Sequence, residues 1–242
     1  MKNSIPNILT ASNLFCGSIA VIFIFLGKAD MVAWFILAAL FMDFMDGFVA
    51  RMLKVSSPVG KELDSLADMV SFGLVPALIM SRMLAEQAGH SFPTMDLSLG
   101  EMGFLAGLLI AIFSAFRLAK FNLDERQSDA FYGLPTPANT ILILSLWLIA
   151  EYWPDNWLNA FLGNIYVLLA ITAFSCYILI ADVRLIALKF KNFQLKDNLS
   201  RFLLLGISLV LLIALQVPGI PLIIFIYLLL SILENTGILA SK

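Results

Sequence analysis

Four aspartates lie close together in a stretch of sequence that is otherwise apolar, at Asp43, Asp46, Asp64 and Asp68. Asp43 and Asp46 are three residues apart and Asp64 and Asp68 are four apart, so each pair falls on one face of an α-helix. Carboxylate oxygens with no histidine or cysteine beside them are hard ligands, which suit Mg²⁺ or Mn²⁺ better than zinc. The spacing therefore predicts that two helices bring their carboxylates together to bind divalent cations.

Small residues continue both aspartate-bearing faces, with Gly47 and Ala50 on the first helix and Gly60 on the second. In a membrane protein, small residues favour close packing between helices. Beside metal-binding carboxylates they can instead leave room for a ligand such as a nucleotide, and both interpretations stay open. Arg51 follows the first pair, where its guanidinium can bind a phosphate oxygen or extend to the membrane interface.

The composition indicates what kind of structure positions these residues. Of 242 residues, 61% are apolar and 13% are charged, whereas soluble domains are about half apolar and a quarter charged. We therefore predict an all-α integral membrane protein that forms a single membrane domain over residues 1–242, with no nucleic-acid partner. Both cysteines lie inside apolar segments, a position that indicates neither a disulfide nor a thiolate metal site.

Eight apolar segments have the length of roughly 17–25 residues that a membrane-spanning helix requires. They are 7–26, 31–50, 62–85, 98–120, 136–153, 158–181, 201–217 and 219–237. If the N-terminus is cytoplasmic, 13 of the 15 Lys and Arg face the cytoplasm, and only Lys28 and Arg82 face the other side. Because basic residues concentrate on the cytoplasmic side, we expect both termini and the aspartates at the cytoplasmic face of the inner membrane.

The aspartates need compensation in such a structure. Each carboxylate inside a membrane helix costs roughly 2.5–3.5 kcal/mol, and bound divalent cations would neutralise the group. The connection 52–59 between the two aspartate-bearing helices is short and contains Pro58. It predicts that these helices are antiparallel neighbours whose carboxylates meet at one depth.

The whole segment reads as one spaced pattern, D-x2-D-G-x2-A-R-x8-G-x3-D-x3-D, which begins at Asp43 and ends at Asp68. This pattern resembles the complete signature of the CDP-alcohol phosphotransferase family. The resemblance implies a CDP-linked donor, two Mg²⁺ or Mn²⁺ ions, a homodimer and a core of six transmembrane helices. We place that core at about residues 5–181, followed over 182–242 by a basic loop and two additional helices. The resemblance also implies that all four aspartates bind metal and that Asp68 serves in addition as the general base.

Four further segments, 6–17, 71–77, 116–122 and 132–138, are similar to the integral-membrane class of phosphatidylserine synthases. This likeness implies that a phosphatidyl group moves from CDP-diacylglycerol to L-serine within the membrane lipid. The residues expected to contact the CDP-lipid are Thr10, Asn13, Gly47, Ala50, Arg51 and Gly60.

The carboxylate of serine requires a cation in the acceptor pocket. Arg117 and Lys120 lie one helical turn apart near the cytoplasmic end of the fourth segment, and Arg126 follows them. The same side chains are also what the positive-inside rule places at a helix end, so both interpretations stay open. Ser71 and Asn122 are candidates to hydrogen-bond the acceptor.

Other functions fit parts of the pattern. Within the same chemistry, the acceptor can be glycerol 3-phosphate, an inositol phosphate or choline. From another class, a divalent-cation transporter also needs carboxylates inside the membrane. Transporters often contain an internal repeat, and this sequence shows none.

Overall fold

The computed structural model describes residues 4–90, 92, 102–123, 131–186 and 198–236. Helices account for nearly all of these residues, which confirms the all-α class. Four helical stretches are long and apolar enough to cross a membrane by length and composition: Ser4–Phe25, Ala29–Leu53, Pro58–Gln87 and Met102–Leu123. The described part of the chain is therefore built as a multi-pass membrane protein, and eight as the number of spans stays a prediction.

The first half of the fold consists of long helices. Its elements are α1 (Ser4–Phe25), α2 (Ala29–Leu53), α3 (Pro58–Asp68), a π-helical segment (Met69–Leu74), α4 (Val75–Gln87), a 3₁₀ segment (Met102–Leu108) and α5 (Leu109–Leu123). The second half has β1 (Phe131–Tyr132), α6 (Thr136–Tyr152), α7 (Trp157–Leu162), α8 (Ile165–Ile180), β2 (Arg184–Leu185), α9 (Leu199–Leu215) and α10 (Gly219–Asn235).

Local chemistry sets the boundary between α2 and α3. Lys54 ends α2 in the left-handed conformation, with φ of 52°. Ser57 then caps α3, because its Oγ accepts a hydrogen bond of 2.9 Å from the backbone N–H of Gly60. Pro58 occupies the first turn, where its missing N–H costs no helical hydrogen bond.

α1 is the helix against which both aspartate-bearing helices pack. Its buried residues recur every three or four positions: Pro6, Thr10, Asn13, Gly17, Ala20 and Ile24. The stripe is polar toward the N-terminal end of α1 and apolar toward its C-terminal end. The polar end lies beside the aspartates, and Thr10 and Asn13 donate hydrogen bonds to them.

The carboxylates of α2 and α3 meet as predicted, since oxygens of Asp43, Asp64 and Asp68 lie within 4.8 Å of one another, while the backbones of the two helices stay apart. α1 packs along both helices, whereas α2 and α3 make few contacts with each other. Gly47, Ala50 and Gly60 carry too little side chain to close the space between the two helices. A cavity therefore remains between α2 and α3, with α1 at its back.

The helix that carries Asp64 and Asp68 changes its winding directly after Asp68. Residues Met69–Leu74 are π-helical, and single π-helical turns occur frequently at functional sites. Pro76 has no N–H to donate to the carbonyl of Phe72, and the hydroxyl of Thr140 on α6 lies 3.1 Å from that oxygen. α6 therefore helps to hold the irregular turn in place.

The sixth predicted span, 158–181, is not one helix. It divides at Gly163 into α7 and α8, and the side chain of Asn164 caps α8 by accepting a 2.9 Å hydrogen bond from the Tyr166 N–H. Beyond α8, β2 pairs antiparallel with β1. Gly133 follows β1 with φ of +75°, and a Cβ there would lie 2.6 Å from the carbonyl oxygen of Leu179, so the turn into α6 requires glycine.

Candidate active site

Three of the predicted aspartates come together between α2 and α3. Asp43, Asp64 and Asp68 each offer one carboxylate oxygen, and these atoms all lie within 4.8 Å of one another. Asp46 lies one turn further along α2, buried, and accepts a 2.6 Å hydrogen bond from the Thr10 hydroxyl on α1.

Asn13 of α1 supports the carboxylate of Asp68 from behind. Its Nδ2 donates a hydrogen bond of 3.2 Å to Asp68 Oδ1, and the side chain is fully buried. The backbone carbonyl of Asn13 accepts a 3.1 Å hydrogen bond from the Ser71 hydroxyl in the π-helical segment. Gly17 permits this approach, since a Cβ there would lie only 2.9 Å from the Cα of Ser71.

The cluster of Asp43, Asp64 and Asp68 fits a divalent metal. Oδ1 of Asp64 is buried without a hydrogen-bond partner, and a buried carboxylate oxygen normally has one. Asp46 interacts electrostatically with Arg51, yet within the described residues no salt bridge joins these four carboxylates to Lys or Arg. Clustered carboxylates repel one another, and a bound cation would relieve this repulsion.

A cavity of about 310 Å³ opens beside the carboxylates. Its wall is formed by α1, α2, the 52–57 connection and α3, and its lining residues are Pro6, Asn7, Thr10, Asp46, Gly47, Ala50, Val55, Ser56, Ser57, Gly60, Lys61 and Asp64. Two sides of the cavity are therefore acidic, while Lys61 adds a positive charge. This combination suits a phosphate-bearing ligand that also carries metal ions.

The sequence of this chain matches that of a known protein family. The family model for CDP-alcohol phosphatidyltransferase matches residues 3–189, which include all four aspartates, α1 and the residues that line the cavity. The chain belongs to the CDP-alcohol phosphatidyltransferase family. The match ends before α9 and α10, so the last two helices lie outside the segment that defines the family.

Three relatives with similar sequences share the same name. A Helicobacter pylori protein called CDP-diacylglycerol–serine O-phosphatidyltransferase is 32% identical over 233 residues, which cover 95% of this chain and 90% of the relative. A Bacillus subtilis protein of the same name is 33% identical, over 56% of this chain and 70% of its own length. A Saccharomyces cerevisiae protein, again of that name, is 36% identical over 57% of this chain and 51% of the relative.

The two glycines of the family pattern, Gly47 and Gly60, differ in how much space surrounds them. A Cβ at Gly60 would lie 2.9 Å from Ser57 Oγ and 3.2 Å from Asn7 Oδ1, so a side chain there would crowd the floor of the cavity. A Cβ at Gly47 would meet only the end of the Arg51 side chain, at 3.3 Å. Asn13 and Arg51, which the sequence assigned to the CDP-lipid, are not among the residues that line the cavity.

The acceptor candidates do not share one site. Arg117 on α5 is buried, its Nε has no hydrogen-bond partner, and it interacts electrostatically with Asp68. Lys120 is partly exposed, and its Nζ forms a 2.8 Å salt bridge with Asp182. Asn122 contacts α3 instead, because its Nδ2 donates to Ser65 Oγ at 2.8 Å and its carbonyl accepts from Lys61 Nζ at 2.8 Å. Arg126 lies outside the described residues.

Sequence reasoning missed a group of polar residues around the π-helical segment. Ser114 Oγ, Thr136 Oγ1 and Asn139 Nδ2 are buried without hydrogen-bond partners. Ser114 lies across from Gly73, since a Cβ at Gly73 would be 3.2 Å from Ser114 Cβ. The available signal was a polar residue every three or four positions inside apolar segments, at Ser114 and Arg117 and again at Thr136 and Asn139. Such groups require polar partners, which water or a small polar ligand can provide.

Proposed function

We propose that this chain transfers the phosphatidyl group of CDP-diacylglycerol to the hydroxyl of L-serine, giving phosphatidylserine and CMP. One observation carries the proposal: Asp43, Asp64 and Asp68 converge at the edge of a cavity, and one of their oxygens has no partner. Family membership supports the CDP-linked donor. The shared name of the relatives, one of them matched over nearly all of the chain, supports serine as the acceptor.

The donor fits the cavity between α2 and α3. Its nucleotide end would lie against Gly47, Ala50 and Gly60, where side chains are absent or small. Asp43, Asp46, Asp64 and Asp68 would hold two divalent cations, Mg²⁺ or Mn²⁺. When bound, these cations would bind the pyrophosphate oxygens and stabilise the negative charge that develops on the departing CMP. Thr10 orients Asp46 for this task through its 2.6 Å hydrogen bond.

The acceptor would approach from the side of the π-helical segment. The serine oxygen attacks the phosphorus that carries diacylglycerol, the bond from that phosphorus to the CMP oxygen breaks, and the hydroxyl proton passes to Asp68. Asn13 holds Oδ1 of Asp68 with its Nδ2, so the other oxygen of this carboxylate would be the one to accept the proton. A base held in this way contributes typically about 10²–10⁴-fold to a rate.

Arg117 is the candidate to bind the carboxylate of serine. Within the described residues it is the one buried basic side chain, and it lies within electrostatic range of Asp68. A single buried cation suits a monocarboxylate better than it suits glycerol 3-phosphate or an inositol phosphate, whose phosphates need several donors. Choline has no anionic group for it to bind. Ser71 donates to the Asn13 backbone, so we assign it to positioning α1 rather than to direct contact with serine.

The wider organisation is also part of the proposal. We place the catalytic core at about residues 5–181 and treat 182–242 as a loop with two additional helices. The basic residues predict that the active site faces the cytoplasm from the inner membrane, and the family resemblance leads us to propose a homodimer. In a cysteine-free background, an impermeant thiol reagent should label a cysteine at His90 only from outside and a cysteine at Lys54 only from inside. Labelling from the opposite sides would contradict this orientation.

The decisive experiment measures CMP release by purified protein with CDP-diacylglycerol, Mg²⁺ or Mn²⁺, and a panel of acceptors. Serine should give the highest kcat/KM, with glycerol 3-phosphate, inositol phosphate and choline at least tenfold lower. EDTA should abolish release, and either metal should restore it. Release that persists in EDTA would reject the metal-dependent mechanism, and a higher kcat/KM with another acceptor would reject serine. The cation-transporter alternative predicts metal flux into vesicles without any CMP release.

A further inference from the structure

One basic side chain lies at the cavity between α2 and α3. Among the described residues that line this cavity, Lys61 is the one with a positive charge, and it precedes Asp64 by one turn on α3. Lys61 Nζ donates a hydrogen bond of 2.8 Å to the backbone carbonyl of Asn122. Among the described residues no salt bridge joins Lys61 to Asp or Glu. Its positive charge is therefore available to an anion in the cavity.

The carbonyl that accepts from Lys61 lies in the last turn of α5. The last carbonyls of a helix have no N–H partner within the helix, and the negative end of the helix dipole favours a cation there. The side chain of Asn122 is also fixed, since its Nδ2 donates to Ser65 Oγ at 2.8 Å, one turn beyond Lys61 on α3. Two hydrogen bonds through Asn122 therefore attach the end of α5 to α3.

The contact with α5 leaves Lys61 able to bind a second group. An ammonium has three N–H donors, and the Asn122 carbonyl accepts from one of them. A lysine side chain is long and flexible, so binding a ligand normally restricts many rotamers. Because the Asn122 carbonyl already holds the ammonium, less freedom is lost when an anion binds to it.

Phosphate oxygens are the anions that suit the rest of the cavity. The aspartates would hold divalent cations at its edge, and Gly47, Ala50 and Gly60 leave room for a nucleotide. Metal ions neutralise part of the charge of a diphosphate, and Lys61 would neutralise a further part from the side of α5. Arg51, the other basic residue near the aspartates in the sequence, does not line the cavity.

We propose that Lys61 binds a phosphate oxygen of the CDP-linked donor, and that the last turn of α5 holds its ammonium in place for this contact. Ser65 is a positioning residue in this arrangement, because it fixes the Asn122 side chain and with it the carbonyl that Lys61 contacts. The proposal rests on the proposed function in one respect, that the donor occupies this cavity. It does not depend on which alcohol is the acceptor.

The test removes only the charge of Lys61. Lys61→Met keeps most of the length of the side chain, and CDP, a soluble ligand with the diphosphate of the donor, is titrated by calorimetry in uncharged detergent with Mn²⁺. We expect the Kd for CDP to rise by about 10–100-fold, the size of one charge-assisted contact, and Lys61→Arg to retain most of the affinity. Lys54→Met is the matched control, because Lys54 is exposed at the end of α2 and outside the cavity lining. It should leave the Kd unchanged.

A second readout separates phosphate binding from damage to the fold. Without nucleotide, Mn²⁺ should raise the Tm of Lys61→Met as much as that of the wild type, because the carboxylate cluster is unchanged. Ser65→Ala should raise the Kd for CDP by about 2–5-fold in the wild type and have no further effect in a Lys61→Met background. A lost response to Mn²⁺, or an equal effect of Ser65→Ala in both backgrounds, would indicate a structural role and overturn the proposal.

The remaining outcomes distinguish the donor from other anions and this proposal from the proposed function. An unchanged Kd for CDP in Lys61→Met overturns the proposal. If CMP release by that variant then falls only in vesicles of anionic lipid, Lys61 contacts lipid headgroups instead. If the wild type binds CDP but prefers another acceptor to serine, the proposed function is wrong in its acceptor, and the comparison of Lys61→Met with the wild type still decides this proposal.

Discussion

The continuous helix Pro58–Gln87 carries a charged side chain near each end, Asp64 and Arg82, and the two differ in how many partners the protein supplies. Near its end, Arg82 forms a salt bridge of 2.5 Å with Glu86 and donates a 2.9 Å hydrogen bond to the Ile24 carbonyl at the end of α1. The rings of Trp147 and Phe92 lie 5.5 and 5.9 Å from its guanidinium carbon. Near the start, Asp64 keeps a buried oxygen without a partner, beside other carboxylates.

The difference distinguishes a structural charge from a functional one. Asp64 and Arg82 are 18 residues apart on one helix, so about 27 Å separates them along its axis. The fold pairs the charge of Arg82 with Glu86, the Ile24 carbonyl and two aromatic rings, although its Nε has no hydrogen-bond partner among the described residues. At the aspartates the fold places negatively charged carboxylates close together. Their charge would be neutralised by a bound ligand rather than by the protein's own side chains. Substitutions at the two ends should therefore affect different measurements, activity at one end and stability at the other.

The largest effect is expected at the clustered carboxylates of Asp43 and Asp64. Asp43→Ala and Asp64→Ala should each reduce CMP release below detection, because each removes an oxygen donor to the metal ions. Both variants should also lose the rise in Tm that Mg²⁺ or Mn²⁺ produces in the wild type. Asp155→Ala removes an exposed carboxylate elsewhere and should retain both properties. Normal turnover in either active-site variant would contradict the metal assignment.

Asp68→Asn should reduce kcat by about 10²–10⁴-fold while donor binding largely persists. The amide keeps the size of the side chain and one ligand oxygen but cannot accept the serine proton. Asp43→Asn is the comparison, since it should weaken metal and CDP-diacylglycerol binding together with the rate. Donor affinity is measured by calorimetry and turnover by CMP release. If Asp68→Asn loses donor binding as completely as Asp43→Asn does, the residue acts mainly as a ligand.

Arg117→Ala should raise the KM for serine by about 10–150-fold, which corresponds to one charge-assisted contact of about 1.5–3 kcal/mol. The KM for CDP-diacylglycerol should change much less. Lys120→Ala should have a smaller effect on the serine KM, because Lys120 is partly exposed and paired with Asp182. Equal increases for both substrates in Arg117→Ala would show that this residue does not discriminate the acceptor.

The sequence was sufficient wherever the information was local. The spacing of Asp43 and Asp46, and of Asp64 and Asp68, fixes their faces because a helix has 3.6 residues per turn. The apolar segments predict membrane helices from length alone. Each predicted segment corresponds to helix among the described residues. The sixth is divided at Gly163 into α7 and α8, because the side chain of Asn164 caps the N-terminus of α8.

The sequence was not sufficient where distant residues meet. The contact of Asn13 with Asp68 joins α1 to the end of α3, and that of Lys120 with Asp182 joins α5 to the loop after α8. Neither contact has a spacing that a single sequence reveals. Arg117 and Lys120 looked equivalent, one turn apart, and only the packing of α5 shows that one is buried and the other is paired at the surface. The packing of α1 along both α2 and α3 is a tertiary result of the same kind.

The smallest effect on activity, and the sharpest test of the comparison, is expected at Arg82. Arg82→Ala would leave the Ile24 carbonyl without its side-chain partner and Glu86 without its counter-charge. Losing charge-assisted contacts of about 1.5–3 kcal/mol should lower Tm by about 3–10 °C. The kcat and both KM values of the remaining folded protein should stay within twofold, because the aspartates are about 27 Å away along the helix. Tm is measured by differential scanning fluorimetry in detergent, and turnover by CMP release at a temperature well below the new Tm.

Glu86→Gln is the matched variant, since it keeps the shape of the partner and removes only its charge, and it should give a smaller shift in Tm. A large fall in kcat for Arg82→Ala, with Tm unchanged, would mean that charge at this end is also coupled to catalysis, and the division between a structural and a functional end would fail.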